Sequence, residues 1–260
     1  MLLLVLLLSG NKLFAQKLTA NERLIFSQLK NYKRGKLLFR ETFSGTLSNW
    51  QSEGKVNAEI IAGKLRFESQ SAATENPKGN IWWKIDVQSP YILEFDYKSL
   101  TNFGLSMIFW NAQTLDGKSL FDEKRTGKYE EYINGNLKAY HISFHRFGSG
   151  ESNIRKAPGF HLISSTTDPI KMNDTTWHRI SIVSLQKRQL VFFDGVLIHQ
   201  VQDNGQPCLS ETSWQHQLPC KGTGEPCLGG AVGIRHTQKQ IADYDNFTIY
   251  RLLPNEVKKR

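Results

Sequence analysis

Cysteine is nearly absent from this chain. There are three in 260 residues, Cys208, Cys220 and Cys227, and all lie in one Gly/Pro-rich stretch. So few exclude a disulfide-dense scaffold. Their spacings of twelve and seven residues match no common zinc module. A disulfide between two of them is expected to staple the loop in an oxidising compartment, with the third left free and the pair undecided. Long apolar runs are also missing. The one near the start, Leu2 to Leu8 in MLLLVLLLSGNKLFAQ, is too short to span a bilayer. It reads as a secretory signal cleaved near Ala15, so the chain is expected to be secreted or periplasmic in a bacterium, without a membrane span. No cysteine follows the run, which argues against a lipoprotein.

Two catalytic patterns are incomplete. The nearest approach to E-x-D-x-x-E is Glu94-Phe95-Asp96-Tyr97-Lys98-Ser99, with serine in place of the third acid. Hydrolysis by two carboxylates ~5 to 9 Å apart therefore lacks its strand signature. No Asp/Asn-rich loop has calcium-ligand spacing. His141 and His145 would sit ~13 Å apart along a strand, too far to share one ion. Neither a metal nor another cofactor is called for. Acidic residues are the minority: 33 Lys and Arg face 24 Asp and Glu, for a net charge of +9. That balance favours anionic partners. The basic residues are spread out and carry no nucleic-acid motif, so nucleic acid is not expected. Tryptophan and tyrosine accompany the charge, which suits an acidic oligosaccharide or polysaccharide.

What the chain has in abundance is β pattern. Thr19 and Glu22 form a capping box ahead of a short helix, with Leu24, Ile25 and Leu29 as its apolar stripe. From Lys36 onward about a dozen short alternating segments follow, among them KLRFES, YILEFDYKSL, AYHISFH and WHRISIVSL. Turn signals such as Asn134-Gly135 and Asp194-Gly195 separate many of them. The expected fold is all-β, a sandwich of two antiparallel sheets with a short N-terminal helix. The expected divisions are 1–15 signal peptide, 16–36 helix and linker, 37–253 sandwich and 254–260 basic tail, in a monomer.

The densest functional signal runs from Lys124 to His161. It holds three histidines, three tyrosines and seven Lys/Arg against three glutamates. In Tyr140–Arg146, Ile142 and Phe144 fall on one face, and His141, Ser143 and His145 on the other. Phe160 and Leu162 alternate with His161 in the same way. If both apolar sides face a core, His141 and His161 share one face on neighbouring strands, with Arg155 or Lys156 beside them.

Several segments resemble one known family: NWQSEG at Asn49, LSMIFWNA at Leu105, LFDEKRTGKYEEY at Leu120, KAYHISFHR at Lys138, NIRKAPGFHLISSTTDP at Asn153 and GAVGIRHT at Gly230. They are similar to the YesU-like domain of unknown function, found in bacteria that use plant and algal polysaccharides. That family lies within the concanavalin A-like lectin/glucanase superfamily, so the resemblance implies a jelly roll and a carbohydrate-active protein. The pattern R-K-x-x-G-F-H-L, Arg155 to Leu162, is the most specific of the matches.

Residue chemistry adds a reaction. Elimination beside a uronate carboxylate needs the carboxylate neutralised, a base for the neighbouring proton and an acid for the leaving oxygen. Arg125, Arg155 and Lys156 suit the first task. His141 or His161 suits the second, because imidazole titrates near neutral pH. Tyr132 or Tyr140, with Tyr129 as a further candidate, suits the third. Trp110 could stack on a sugar ring, with His145 and Arg146 completing the substrate-binding set. Jelly-roll polysaccharide lyases use similar residue types. The expected function is β-elimination on uronate-containing oligosaccharides, sulfated or not. A carbohydrate-binding protein without chemistry is the alternative, then a glycoside hydrolase.

Overall fold

The computed structural model describes residues 18–69, 79–145, 148–205 and 224–255. The signal segment, Arg146, Cys208, Cys220 and most of the basic tail lie outside them. The first helix, α1 (Ala20–Gln28), carries the expected capping box. The Thr19 hydroxyl accepts from the Glu22 N–H, and the Glu22 carboxylate accepts from the Thr19 N–H. Its buried Ile25, with Leu29, packs on Ile92, Val183, Phe192 and Tyr250.

Fifteen strands follow: β1 (Tyr32–Glu41), β2 (Trp50–Gly54), β3 (Val56–Ile61), β4 (Lys64–Ser69), β5 (Gly79–Gln88), β6 (Tyr91–Ser99), β7 (Leu105–Gln113), β8 (Lys138–Phe144), β9 (Glu151–Ala157), β10 (His161–Thr167), β11 (His178–Leu185), β12 (Arg188–Phe193), β13 (Val196–Gln202), β14 (Gly229–Thr237) and β15 (Ile241–Pro254). They build two antiparallel sheets. One has eight strands, ordered β13-β12-β11-β6-β15-β4-β3, with β1 also paired to β15. The other has seven, ordered β10-β9-β8-β7-β14-β5-β2. The core lies between them. Trp83, Trp110, Tyr140, Ile142 and Phe144 enter it from the seven-stranded sheet, and Leu93, Phe95, Ile182 and Ile249 from the other. Alternation along each strand sets these choices.

The fold matches the sequence reading, with local differences. Strand β1 begins at Tyr32, inside the stretch expected to be linker. A second helix, α2 (Glu130–Ile133), interrupts the long connection between β7 and β8. That connection lies across the outward face of the seven-stranded sheet. Leu120, Tyr132 and Leu137 from it cover Trp82, Met107 and Phe109. The outward face is therefore apolar at its centre, and β7 is buried on both sides. This is why Met107 to Trp110 reads as an unbroken apolar run rather than an alternating one.

Candidate functional site

The site is built on the outward face of the seven-stranded sheet, starting from one carboxylate. Glu53 on β2 is 5% exposed. It accepts from Trp82 Nε1 at 2.8 Å, Tyr132 Oη at 2.7 Å and Arg125 Nη2 at 2.8 Å, with Arg125 Nε at 3.1 Å. Arg125 and Tyr132 belong to the β7–β8 connection, so this buried ion pair fastens the covering segment to the sheet. Arg125 Nη2 also donates to Leu120 O. A charge taken out of water needs partners of this kind.

Arg235 on β14 lies beside this group and is fully buried. Its guanidinium donates to Gly79 O and Gly127 O. The rings of Tyr132 and Tyr129 flank it at 4.6 and 5.2 Å. Burial pushes the Tyr132 phenol well above its ordinary value, and the neighbouring Glu53 charge adds to the shift.

His141 on β8 stands opposite Phe109 on one side and Arg155 on the other. Its ring packs 4.9 Å from that of Phe109 and stacks 6.0 Å from that of Phe160. It is 1% exposed. Nδ1 is buried and has no hydrogen-bond partner. Burial, then the charges of Arg155 and Arg235, pull the imidazole down to about 3, so it stays neutral at ordinary pH. Arg155 is half-buried above it. Its guanidinium lies 4.0 Å from the Phe160 ring centre and donates to Phe160 O. Tyr129 meets Phe160 edge-on at 5.7 Å.

The turn before β10 shapes this wall. Phe160 has a positive φ of 56°, sparsely populated for an aromatic residue. Gly159 has a φ of 101°, and a Cβ there would come within 2.2 Å of the His161 ring. Only glycine fits both demands. Its N–H donates to Ile133 O, tying the turn to α2.

Several sequence expectations need correction. His161 pairs with Lys156, and Leu162 with Arg155. His161 therefore lies on the side of Lys156, opposite the face of His141. The alternation was right, but at β10 the apolar side faces the site, because Phe160 serves as a wall for the imidazole. Lys156 points inward and is 2% exposed, held by Asp203 at 2.7 Å and by Gly224 O. Tyr140 also points inward, its hydroxyl donating to Asp203. Trp110 is a core residue whose Nε1 donates to Gln189 Oε1 at 3.0 Å. His145 is bound to Gln240 Oε1 and Met172 O. Cys227 is a buried free thiol, pushed up to about 12 by desolvation, and the other two cysteines of the expected staple lie outside the described residues. The expected set thus reduces on this face to His141, Arg155, Arg125 and Tyr132, with Tyr129 beside them. Among the described residues no three His, Cys, Asp or Glu are close enough to hold a metal ion. No described helix is long and apolar enough to cross a membrane.

Residues 36–249 match the family described as "Domain of unknown function (DUF1961)". The chain belongs to that family. A curated relative, "Uncharacterized protein YesU" of Bacillus subtilis strain 168, is 26% identical over 236 residues, covering 85% of this chain and 98% of the relative. A solved structure, a protein of unknown function with galectin-like fold from Bacillus subtilis, superposes with a TM-score of 0.74 at 23% identity. It covers 86% of this chain and all of the other. More distant structures include a laminarinase from Flavobacterium sp. UMI-01, with TM-score 0.55 and 14% identity over 83% of this chain and 100% of that one. The Bacillus licheniformis beta-glucanase has TM-score 0.52 and 13% identity, over 84% and 99%. At these identities the likeness establishes the concanavalin A-like jelly roll. Two family segments hold the residues that sequence reasoning missed: Glu53 in NWQSEG and Arg235 in GAVGIRHT. Arg235 is a charged residue inside an apolar strand pattern, and that was the available signal; Glu53 stands in the polar run Gln51-Ser52-Glu53, which carries none.

Proposed function

We propose that this DUF1961 member is a carbohydrate-active protein that takes an acidic saccharide on the outward face of its seven-stranded sheet and performs β-elimination there. The observation that carries the reading is the His141–Arg155 pair, a buried neutral imidazole with an unpartnered Nδ1 beneath a half-buried guanidinium. Arg155 suits a sugar carboxylate, which its planar fork can bind through two hydrogen bonds. Tyr129, half-buried, offers ring surface to the sugar. His141 is the base, and Tyr129 the proton donor to the leaving oxygen. A carboxylate arriving beside His141 offsets the cationic field and raises the imidazole's basicity toward the working range. The distant glucanase-fold structures agree with a saccharide ligand by analogy of fold alone.

Hydrolysis by paired acids fits less well. The outward positions of β8 are Ala139, His141 and Ser143, and those of β7 and β14 bring Met107, Phe109, Ala231 and Arg235. Glu53 is already saturated with donors. A binding protein without chemistry is the second reading, favoured by the low basicity of the ligand-free His141. Incubation with uronate-containing oligosaccharides decides between them. New ultraviolet absorbance from an unsaturated uronate supports elimination. New reducing ends without it indicate hydrolysis, and retained affinity with neither indicates binding alone.

A further inference from the structure

Arg235 on β14 is fully buried, so it cannot touch a substrate. Whatever it does for chemistry passes through its neighbours. Its Nη2 donates to Gly127 O at 2.9 Å, two residues before Tyr129, and its Nη1 donates to Gly79 O at 3.2 Å. Its guanidinium carbon lies 5.2 Å from the Tyr129 ring centre. One group thus ties down the backbone that carries Tyr129 and sets a positive charge against its ring. Tyr129 itself is half-buried, within reach of a ligand.

Holding the covering segment does not by itself call for this charge. Leu120, Tyr132 and Leu137 already pack the segment on Trp82, Met107 and Phe109, and the Arg125–Glu53 pair fastens it. A buried guanidinium carries a desolvation cost that an apolar side chain avoids. The charge has a use in the proposed reaction. His141 takes the proton beside the carboxylate, the electron pair left behind forms the carbon–carbon double bond, and the carbon–oxygen bond breaks. The Tyr129 hydroxyl protonates the departing oxygen, and the proton on His141 returns to the phenolate through solvent. Tyr129 is therefore an anion for part of each cycle, and a fixed cation beside it stabilises that anion more than the phenol.

The coupling is visible from the other partner. Burial pulls the Arg235 guanidinium down, while Tyr132, Tyr129, Glu131 and Glu53 push it back up. The other groups around Tyr129 are engaged elsewhere. Arg155 stands across Phe160 and is assigned to the sugar carboxylate. Glu131 of α2 accepts from the Thr126 and Lys128 N–H groups, and Glu53 is held by Arg125. His141 is neutral. We propose that Arg235 is the positioning residue for Tyr129, holding its loop through Gly127 and stabilising the phenolate formed when Tyr129 protonates the leaving oxygen. This rests on the elimination reading above.

Two measurements on the full chain keep the two apart. The first needs no substrate. The protein is made with 3-fluorotyrosine, whose more acidic phenol titrates under milder alkali, and the Tyr129 fluorine signal is assigned by its absence in Tyr129→Phe. Arg235→Met should raise the pH at which Tyr129 titrates by ~1 unit or more, and Arg235→Lys, which keeps the charge, should leave it nearly in place. The second is turnover of uronate oligosaccharides. Arg235→Met should lower kcat about ten-fold or more with KM little changed, and should move the alkaline limb of kcat to higher pH, because the donor works in its protonated form. Arg235→Lys should recover most of kcat. An unmoved Tyr129 titration in folded Arg235→Met overturns the inference, as does a loss of kcat with the alkaline limb in place. If Arg235→Met does not fold, Arg235→Lys decides: a near-wild-type Tyr129 titration with most of kcat supports the inference, and loss of both overturns it. A wild-type protein that makes no unsaturated uronate, while Tyr129 shifts as expected, overturns the elimination reading and not the coupling.

Discussion

His141 and Arg155 are cross-strand partners, and the Phe160 ring touches both. The imidazole is buried and neutral, while the guanidinium is half-buried and charged. In the proposed function the pair would divide the work of an anion site: one group supplies fixed charge, the other a lone pair or a proton held at a buried atom. Each prediction below tests a consequence of that division or of the scaffold that maintains it.

The packing of His141 rules out alanine as a clean probe. Truncation would open a cavity between Phe109 and Phe160 and cost about 2–4 kcal/mol, in the manner of other buried side chains. His141→Phe keeps the ring and removes the unpartnered Nδ1. The variant should melt at or above the wild-type temperature and lose turnover on uronate oligosaccharides by ~10²–10⁴-fold. Wild-type turnover in a folded His141→Phe protein would remove His141 from the chemistry.

Burial of three histidines makes the fold acid-sensitive. His141, His236 and His199 are lowered to about 3, 3 and 4, each mainly by desolvation. In the unfolded chain each binds its proton near pH 6.5. Between about pH 6.5 and 4 the unfolded state therefore holds more protons, and stability falls as pH falls. Each histidine contributes about 1.4 kcal/mol per pH unit once it is titrating in the unfolded state. Glu94 and Asp245, raised above the usual carboxylate range, oppose part of this. Urea unfolding at pH 7, 6, 5 and 4.5 should show the decline, and His141→Phe should flatten it. A level profile would mean that these imidazoles are protonated in the native state.

The Glu53 hub should dominate the stability of the covering segment. Glu53→Ala leaves the buried Arg125 guanidinium without its carboxylate, a change that costs about 3–5 kcal/mol in comparable buried pairs. Arg155→Ala, at a half-buried position, should cost under ~1 kcal/mol. Chemical denaturation of the two variants checks the contrast. Equal losses would deny that the ion pair fastens the connection.

Much of this architecture is legible in the sequence, and the illegible parts share a cause. Thr19 and Glu22 announce the helix start because capping is local. The alternation of Ile142 and Phe144 with His141 placed the imidazole outward, and the same alternation along β5 sends Trp82 outward and Trp83 into the core. Strand β7 resists the same reading. Both its faces are apolar, one against the core and one against Leu120 and Tyr132, so nothing local tells which way Trp110 points. The Glu53 hub joins residues 53, 82, 125 and 132. No short window contains that convergence. The placement of His161 turned on the backbone at Phe160, whose positive φ a phenylalanine does not advertise.

The central claim is that Arg155 and its neighbours select a carboxylate. Calorimetry with a matched pair of oligosaccharides, one bearing uronates and one carboxyl-reduced, tests it most directly. The acidic ligand should bind at least ten-fold more tightly, and its advantage should shrink as salt rises and screening shortens to ~8 Å or less. Arg155→Lys should lose most of that advantage, because an ammonium cannot reproduce the planar fork. Equal affinities for the two ligands, or an unchanged preference in Arg155→Lys, would contradict the account.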